Sequence, residues 1–467
     1  MIKTLFSHGT KAKNPTRATA LGALTALALV TGGAAYAEKI TIGIGHQSTV
    51  TNTVPGGIIL EKLELLEKHL PTTGKYADVD YEVIYRDYTS GPPITNQMVA
   101  GRLQFGVMGD YPLIVNGATF QQGGQDETRL IAITGYNLKG TGNGVVVPVA
   151  SNVYSFDELK GKTISTPFGS ASWGMVLSVL TERGMLDEVA LANQSPPVGV
   201  NNIATGRIDA HADFTPWSEV MEFRGTGRKI FDGSASNIPT FHGTIVTKSF
   251  ADEYPEIVSA YMDATLEAQE WVAADPLNAA IKVSEWTGIE KEVLYLYFSN
   301  GGISTFEASL KPEWVASLKK SHALLAKERD VPPLDFDRWV DPSFVRAAYE
   351  AKGMDYDALV GSVVDTAVDN EGLPSEIWHP RDGISSYETL GQFFEAVAAI
   401  RDSGFKPAAT YVYDESSGLK LFGNVAFYVK TGDDYAAFLN RADAESFAAE
   451  SNGQILDYDS ILDGISS

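Results

Sequence analysis

The chain has 467 residues, of which 36 are Lys or Arg and 59 are Asp or Glu, for a formal net charge of −23. That excess of negative charge makes nucleic acid and anionic lipid poor partners, although a local site can still bind an anion against the global field. The absence of cysteine excludes disulfides, thiolate metal sites, cysteine nucleophiles and the lipid-bearing cysteine of a bacterial lipoprotein.

The first segment reads as a signal peptide. Lys3, Lys11, Lys13 and Arg17 form a cationic lead, Ala18 to Val30 is apolar, and Ala35-Tyr36-Ala37 has the small-x-small pattern of a cleavage site, which places the cut before Glu38. The apolar run is well short of the roughly 20 residues that span a bilayer. Removing residues 1–37 takes away four basic residues and no acidic ones, so the charge moves from −23 to −27. The expected product is soluble, does not insert into the membrane, and is retained in a Gram-negative periplasm by the outer membrane.

From residue 38 the pattern is α/β. Lys39 to Gly45, Asp80 to Tyr85, Leu103 to Met108, Leu130 to Thr134, Gly144 to Val149 and Thr163 to Ser165 read as strands, with amphipathic helices at Gly56 to Leu70 and Trp173 to Arg183. Phe250 to about Leu325 is mainly helical, with Pro276 and Pro312 at helix starts. The joint Val331-Pro332-Pro333 precedes an acidic and aromatic segment ending near Gly372-Leu373-Pro374, and strand periodicity returns at Ala409 to Tyr413 and Asn424 to Val429. These features predict a separate C-terminal unit of about 90 residues, an adequate size for a small domain.

Four blocks carry a resemblance. They are Ser90-Gly91-Pro92 through Gly109-Asp110-Tyr111-Pro112, Phe156 through Thr166-Pro167-Phe168-Gly169-Ser170-Ala171-Ser172, Gly206 to Ala210 with Thr215-Pro216-Trp217, and Phe250 to Ile257. Their order and spacing resemble the periplasmic proteins that bind taurine, aliphatic sulfonates or nitrate for ABC importers. The resemblance implies the two-lobed type II periplasmic binding protein fold over residues 38–370, with a solute held between lobes and an inner-membrane permease as partner. Lobe 1 is expected at about 38–135 and 246–370 and lobe 2 at about 136–245, with crossings near Gly135 to Val147 and Ile238 to Val246. Thr215 stands where that family usually has an acidic residue before the proline, which weakens any carry-over of substrate identity.

The chemically legible loop is Thr166 to Trp173. Gly169 lets a backbone approach a ligand, and Ser170 and Ser172 sit at a helix start where unpaired amides favour a sulfonate or carboxylate; the competing reading is that the serines cap their own helix. Ser90 opens a second such loop. Asp110, followed by Tyr111, suits an ammonium group or a helix cap, and Trp173 and Trp217 suit an aromatic face against a ligand or a place in the core. His46, Gln47 and Ser48 end the first strand, and His242 sits at the second crossing. The seven histidines show no metal-ligand spacing, so no metal or other cofactor is expected. No lysine or arginine occurs in these loops, which fits a zwitterion or weakly hydrated anion.

Residues 375–467 are a second resemblance. Phe438 to Asp459 resembles the closing helix and strand of the NosL type, periplasmic accessory proteins that carry copper. With no cysteine, and no methionine after Met354, the soft ligands that select copper are missing. An α/β binding-protein body with a small α+β C-terminal domain is therefore the expected architecture. Two other function classes stay open: metal delivery or protein interaction through the C-terminal unit, and an enzyme related to thiamin-precursor synthesis, for which no nucleophile, base and orienting group form one constellation.

Overall fold

A computed structural model describes residues 38–124, 126–137, 140–236, 239–362, 372–432 and 434–465. The predicted signal peptide, residues 1–37, lies outside them. Among the described residues no helix is long and apolar enough to cross a membrane.

The chain starts with β1 (Lys39–His46), whose residues from Ile42 onward are all buried, as a central strand requires. The predicted helix over Gly56 to Leu70 is instead a short 3-10 turn followed by two pieces, α1 (Ile58–Leu63) and α2 (Leu65–His69), broken at Glu64 in the left-handed conformation (φ 51°, ψ 37°). The break re-aims the second piece so that Lys68 and His69 reach Glu267, at 2.5 and 2.7 Å. Next come β2 (Asp80–Asp87), α3 (Gly91–Val99), β3 (Phe105–Gly109), α4 (Asp110–Gly123) and β4 (Thr128–Asn137).

After residues 138–143 the chain builds a second sheet. Its elements are β5 (Gly144–Pro148), β6 (Thr163–Thr166), α5 (Ala171–Glu182), β7 (Ala190–Asn193), α6 (Pro196–Ala204), β8 (Ala210–Asp213), α7 (Trp217–Phe223) and β9 (Gly227–Asp232). Residues 233–239 lead back to the first sheet through β10 (Thr240–Thr247), which is buried along its whole length. The return is thus earlier than the range expected from sequence: residues 240–245 lie in the sheet of lobe 1, not lobe 2. The two sheets share one plan, β2-β1-β3-β10-β4 and β7-β6-β8-β5-β9. In each, four strands run in one direction and the strand arriving from the other lobe is antiparallel to its two neighbours.

The helical stretch follows as α8 (Lys248–Glu253), α9 (Pro255–Ala274), α10 (Pro276–Thr287), α11 (Lys291–Phe298), α12 (Pro312–Arg329), α13 (Phe336–Trp339), α14 (Ser343–Ala351) and α15 (Tyr356–Gly361). Proline opens α9, α10 and α12, where its missing N–H costs nothing. Asp275 caps α10 by accepting from the Asn278 amide at 3.0 Å. Tyr261 of α9 stacks on Phe105 of β3, with ring centres 4.5 Å apart, and fastens this layer to lobe 1.

The C-terminal unit comprises β11 (Ser375–His379), β12 (Gly383–Tyr387), α16 (Leu390–Asp402), β13 (Ala409–Tyr413), β14 (Lys420–Phe422), β15 (Phe427–Thr431), β16 (Asp434–Phe438), α17 (Arg441–Ser451), β17 (Gln454–Leu456) and α18 (Tyr458–Ile465). Two antiparallel sheets result, β12-β11-β13-β14 and β16-β15-β17. The predicted strand over Asn424 to Val429 begins later, at Phe427, because Gly423–Val425 forms a 3-10 turn. Lys420 fastens this unit to the body. Its ammonium is buried, donates to Ser299 at 2.7 Å and to Glu376, and lies 5.2 to 5.5 Å from the rings of Tyr295, Tyr411 and Tyr413.

Glu64 is exposed, so its left-handed backbone is the main energetic feature of that position. Glu64→Gly is expected to raise stability by about 0.5 to 1 kcal/mol, the left-handed penalty less the extra unfolded-chain entropy of glycine. A lower urea midpoint for the variant would contradict this.

Candidate ligand-binding cleft

The lobes meet where the amino ends of α4 and α5 face each other beside the two crossings. Asp110, Tyr111, Asn143, Ala171, Met175 and Thr240 are among the residues lining one cavity of about 20 Å³, and no lysine or arginine lines it. That volume holds about one water. Tyr111 fills the rest of the gap. Its ring lies so close to α5 that a Cβ at Gly174 would stand 2.1 Å from it. Entry of a solute requires the lobes to part by the hinge motion open to a two-lobed fold.

Two sequence-predicted residues, Asp110 and Tyr111, line this cavity directly. Asp110 is 5% exposed and accepts from the Tyr111 amide at 2.7 Å and the Phe241 amide at 3.4 Å. Burial pushes its carboxyl up to about 7, with the amides pulling the other way. Asp110 therefore titrates near neutral pH at the floor of the cleft.

On the facing side, Ser170 is the N-cap of α5 and accepts from the Trp173 amide at 3.2 Å, so the capping reading is realised. Ser172 bridges Ser170 at 2.9 Å and Thr166 at 3.1 Å. Three hydroxyls joined by two hydrogen bonds leave one proton over, on whichever hydroxyl the directions of donation select. When the chain runs from Thr166 to Ser170, Ser170 has a hydroxyl hydrogen to donate. Trp173 carries an indole N–H that is buried without a partner, and the Arg329 guanidinium lies 5.1 Å from its ring. Gly169 faces Pro92, two residues after Ser90, across the mouth of the cleft.

His242 lies in β10 opposite Gly109. Burial lowers its pKa to about 3, so it is neutral, and Asn52 donates to its Nδ1 at 3.2 Å, which puts the remaining proton on Nε2. The other predicted residues are placed elsewhere. His46 packs under Gly57 with Glu61 at 3.7 Å and the Tyr85 ring edge-on, and the imidazole beside it, with Lys62, draws the Glu61 carboxyl down to about 2. Ser48 is tied to Asp87 through its amide at 2.7 Å and its hydroxyl at 2.6 Å. Gln47 has a buried, unpartnered side-chain oxygen, and Trp217, at the start of α7, has a buried, unpartnered indole N–H.

Sequence reasoning missed the amides beside the crossings. Asn52 donates to Asn137 at 3.0 Å as well as to His242, Ser304 donates to Asn52, and Asn143 donates to Thr240 at 2.7 Å with its own oxygen unpartnered. The hydroxyls of Thr51 and Thr215 hydrogen-bond from lobe to lobe. The available signal was asparagine on either side of the first crossing, at 137 and 143. Also missed was the chain Ser165, His211, Asp213, with both hydrogen bonds at 2.8 Å. Its members resemble a hydrolytic triad by type, but all are fully buried and the ring packs against Gly199. Among the described residues no group of three His, Asp or Glu could hold a metal.

The pH dependence of Asp110 has a definite sign. Its folded pKa, about 7, exceeds the ordinary 3.8, so between those values the unfolded chain has lost a proton that the folded chain keeps, and this group's contribution to stability falls as pH rises through the window. Asp110→Asn removes that loss. The variant is expected to gain on the parent by roughly 1 to 3 kcal/mol between pH 4 and pH 8; parallel stability curves for the two proteins would contradict the assignment.

Comparison with known proteins agrees with the geometry. Residues 125–279 match the family described as NMT1/THI5 like. The chain is 28% identical over 200 residues to the taurine-binding periplasmic protein of Escherichia coli, covering 42% of this chain and 58% of that one. It is 23% identical over 214 residues to a putative aliphatic sulfonates-binding protein of Bacillus subtilis, covering 46% and 62%. These matches span somewhat less than two thirds of the curated relatives. Among solved structures, the alkanesulfonate-binding protein SsuA from Xanthomonas axonopodis pv. citri superposes with a TM-score of 0.55 at 19% identity, covering 65% of this chain and 99% of SsuA. The nitrate-binding protein NrtA from Synechocystis superposes at 0.52 with 15% identity, covering 70% and 92%. Residues 125–279 are similar to the NMT1/THI5-like family, and the chain has the two-lobed fold of type II periplasmic binding proteins with an added C-terminal unit.

Proposed function

We propose that this protein captures a small sulfonate-bearing zwitterion of the taurine type in the periplasm and presents it to the permease of an ABC importer. The observation that carries the reading is a buried carboxylate, Asp110, facing the amino end of α5 across a cleft lined by no lysine or arginine. An ammonium group pairs with Asp110, and the sulfonate takes the unpaired amides and hydroxyls at the α5 terminus. Ser170, Ser172 and Gly169 surround the sulfonate; Trp173, Tyr111, His242 and Ser90 complete the pocket when the lobes open and reclose. The functions of the taurine- and sulfonate-binding relatives support the same class. Residues 38–370 are sufficient for binding, a reading supported by SsuA, which is covered almost completely by 65% of this chain.

Calorimetry at several pH values tests the proposal. Taurine affinity is expected to rise between pH 6 and pH 8 as Asp110 ionises, whereas ethanesulfonate, which lacks the ammonium, gains nothing over that range. Replacing Ser170 and Ser172 with alanine is expected to cost more than tenfold in affinity for both, because a hydrogen bond to a charged group contributes about 1.5 to 3 kcal/mol. Failure of the folded protein to bind any alkanesulfonate at millimolar concentration would overturn the reading.

A further inference from the structure

A second and larger cavity lies outside the cleft, between the C-terminal unit and lobe 2. Its volume is about 320 Å³, within the range of small-molecule sites. One wall is formed by Phe223, at the end of α7 in lobe 2, and Phe422 of β14, which pack on each other with ring centres 5.4 Å apart. Two cations, Arg401 and Lys406, and one anion, Asp459, complete the charged lining.

These charges do not cancel. Arg401 donates to Asp459 at 3.0 Å, and its guanidinium lies 5.5 Å from the Tyr458 ring, so its charge is compensated. Lys406 is exposed and forms no ion pair among the described residues. Buried Thr410 places a hydroxyl in the lining, where it meets the Tyr458 hydroxyl at 3.4 Å, and Asn424 adds an amide. A cavity with a wall of packed aromatic rings, small polar groups and one uncompensated cation suits a flat apolar body carrying a single negative charge. In a chain of net charge −23, an unpaired lysine over a cavity of this size is the local opposite of the global field.

We infer that this cavity is a second ligand site, distinct from the cleft, that takes a small aromatic or cyclic monoanion such as a carboxylate or sulfonate. The ring lies against the packed Phe223–Phe422 pair, and the acidic group pairs with Lys406 beside the Arg401–Asp459 pair. Because Phe223 belongs to lobe 2 and the rest of the lining to the C-terminal unit, an occupant also strengthens the docking of the two.

The test uses the full-length protein, with benzoate and benzenesulfonate as probes and benzyl alcohol and benzylamine as neutral and cationic controls. Saturable binding of the anions, at least tenfold tighter than either control, is expected. Lys406→Glu should weaken it at least tenfold. Ala408→Trp, which fills the cavity without removing a charge, should abolish it; the Ser170→Ala/Ser172→Ala variant should leave it unchanged. No saturable binding by millimolar concentration, equal binding of the controls, or insensitivity to both Lys406→Glu and Ala408→Trp in protein with parental circular dichroism would each overturn the inference. Binding lost in the Ser170/Ser172 variant but kept in the other two belongs to the cleft: it refutes the second site and leaves the proposed function standing.

Discussion

The buried amide of Asn52 holds the crossing between lobes together. It is fully buried, donates to Asn137 near the end of β4 and to His242 in β10, and accepts from Ser304 in the loop before α12. Both strands that carry the chain across the molecule are therefore tied to one side chain. Burial keeps His242 neutral, and a neutral imidazole is what allows its Nδ1 to accept from Asn52. Geometry in the cleft follows from this point, since β10 sets Thr240 against Asn143 and β3 delivers Asp110 to the floor.

Lysines are also buried at two junctions. Lys229 in β9 is buried against Glu219 at 2.5 Å, Glu222 at 3.7 Å and Asp232 at 3.9 Å, and Tyr297 of α11 donates to the same Glu219. Burial alone would pull the lysine proton off, but the three carboxylates reverse that and hold it on, while burial raises Glu222 and Asp232. The cluster joins lobe 2 to the helical layer. Lys420 does the corresponding job for the C-terminal unit, where burial lowers its pKa and Glu376 opposes the change. Removing either lysine would leave buried carboxylate uncompensated, which is more damaging than losing a surface pair.

The second cavity lies at the far side of this C-terminal junction. Phe223, from lobe 2, stands beside Phe422, two residues after Lys420, so the docking that buries Lys420 also brings the two rings together. The added unit is thus more than an appendage, since it shares a boundary with the lobe that must move when the cleft opens. Arg441 near the Tyr154 ring, at 5.9 Å, extends the same boundary to the loop after β5.

Much of the fold was legible because it is encoded locally. Alternation in Lys39 to Gly45, the prolines that open α10 and α12, and the strand at Ala409 to Tyr413 are properties of a few neighbouring residues, and the structure has each of them. The serine at the start of α5 was legible too, down to its capping bond. The partner of each polar side chain was not. Ser48 is taken by Asp87, 39 residues away, and Asn52 reaches across 85 residues to Asn137 and 190 to His242. His46 ended a strand as expected, yet its ring turned toward Glu61 and Tyr85. Periodicity states which face of an element is buried, whereas a hydrogen bond depends on which distant elements pair and in what register. The sequence by itself determined the charge, the lack of thiol chemistry and the alternating sheets and helices; only the tertiary structure decided which polar groups remained free for a ligand.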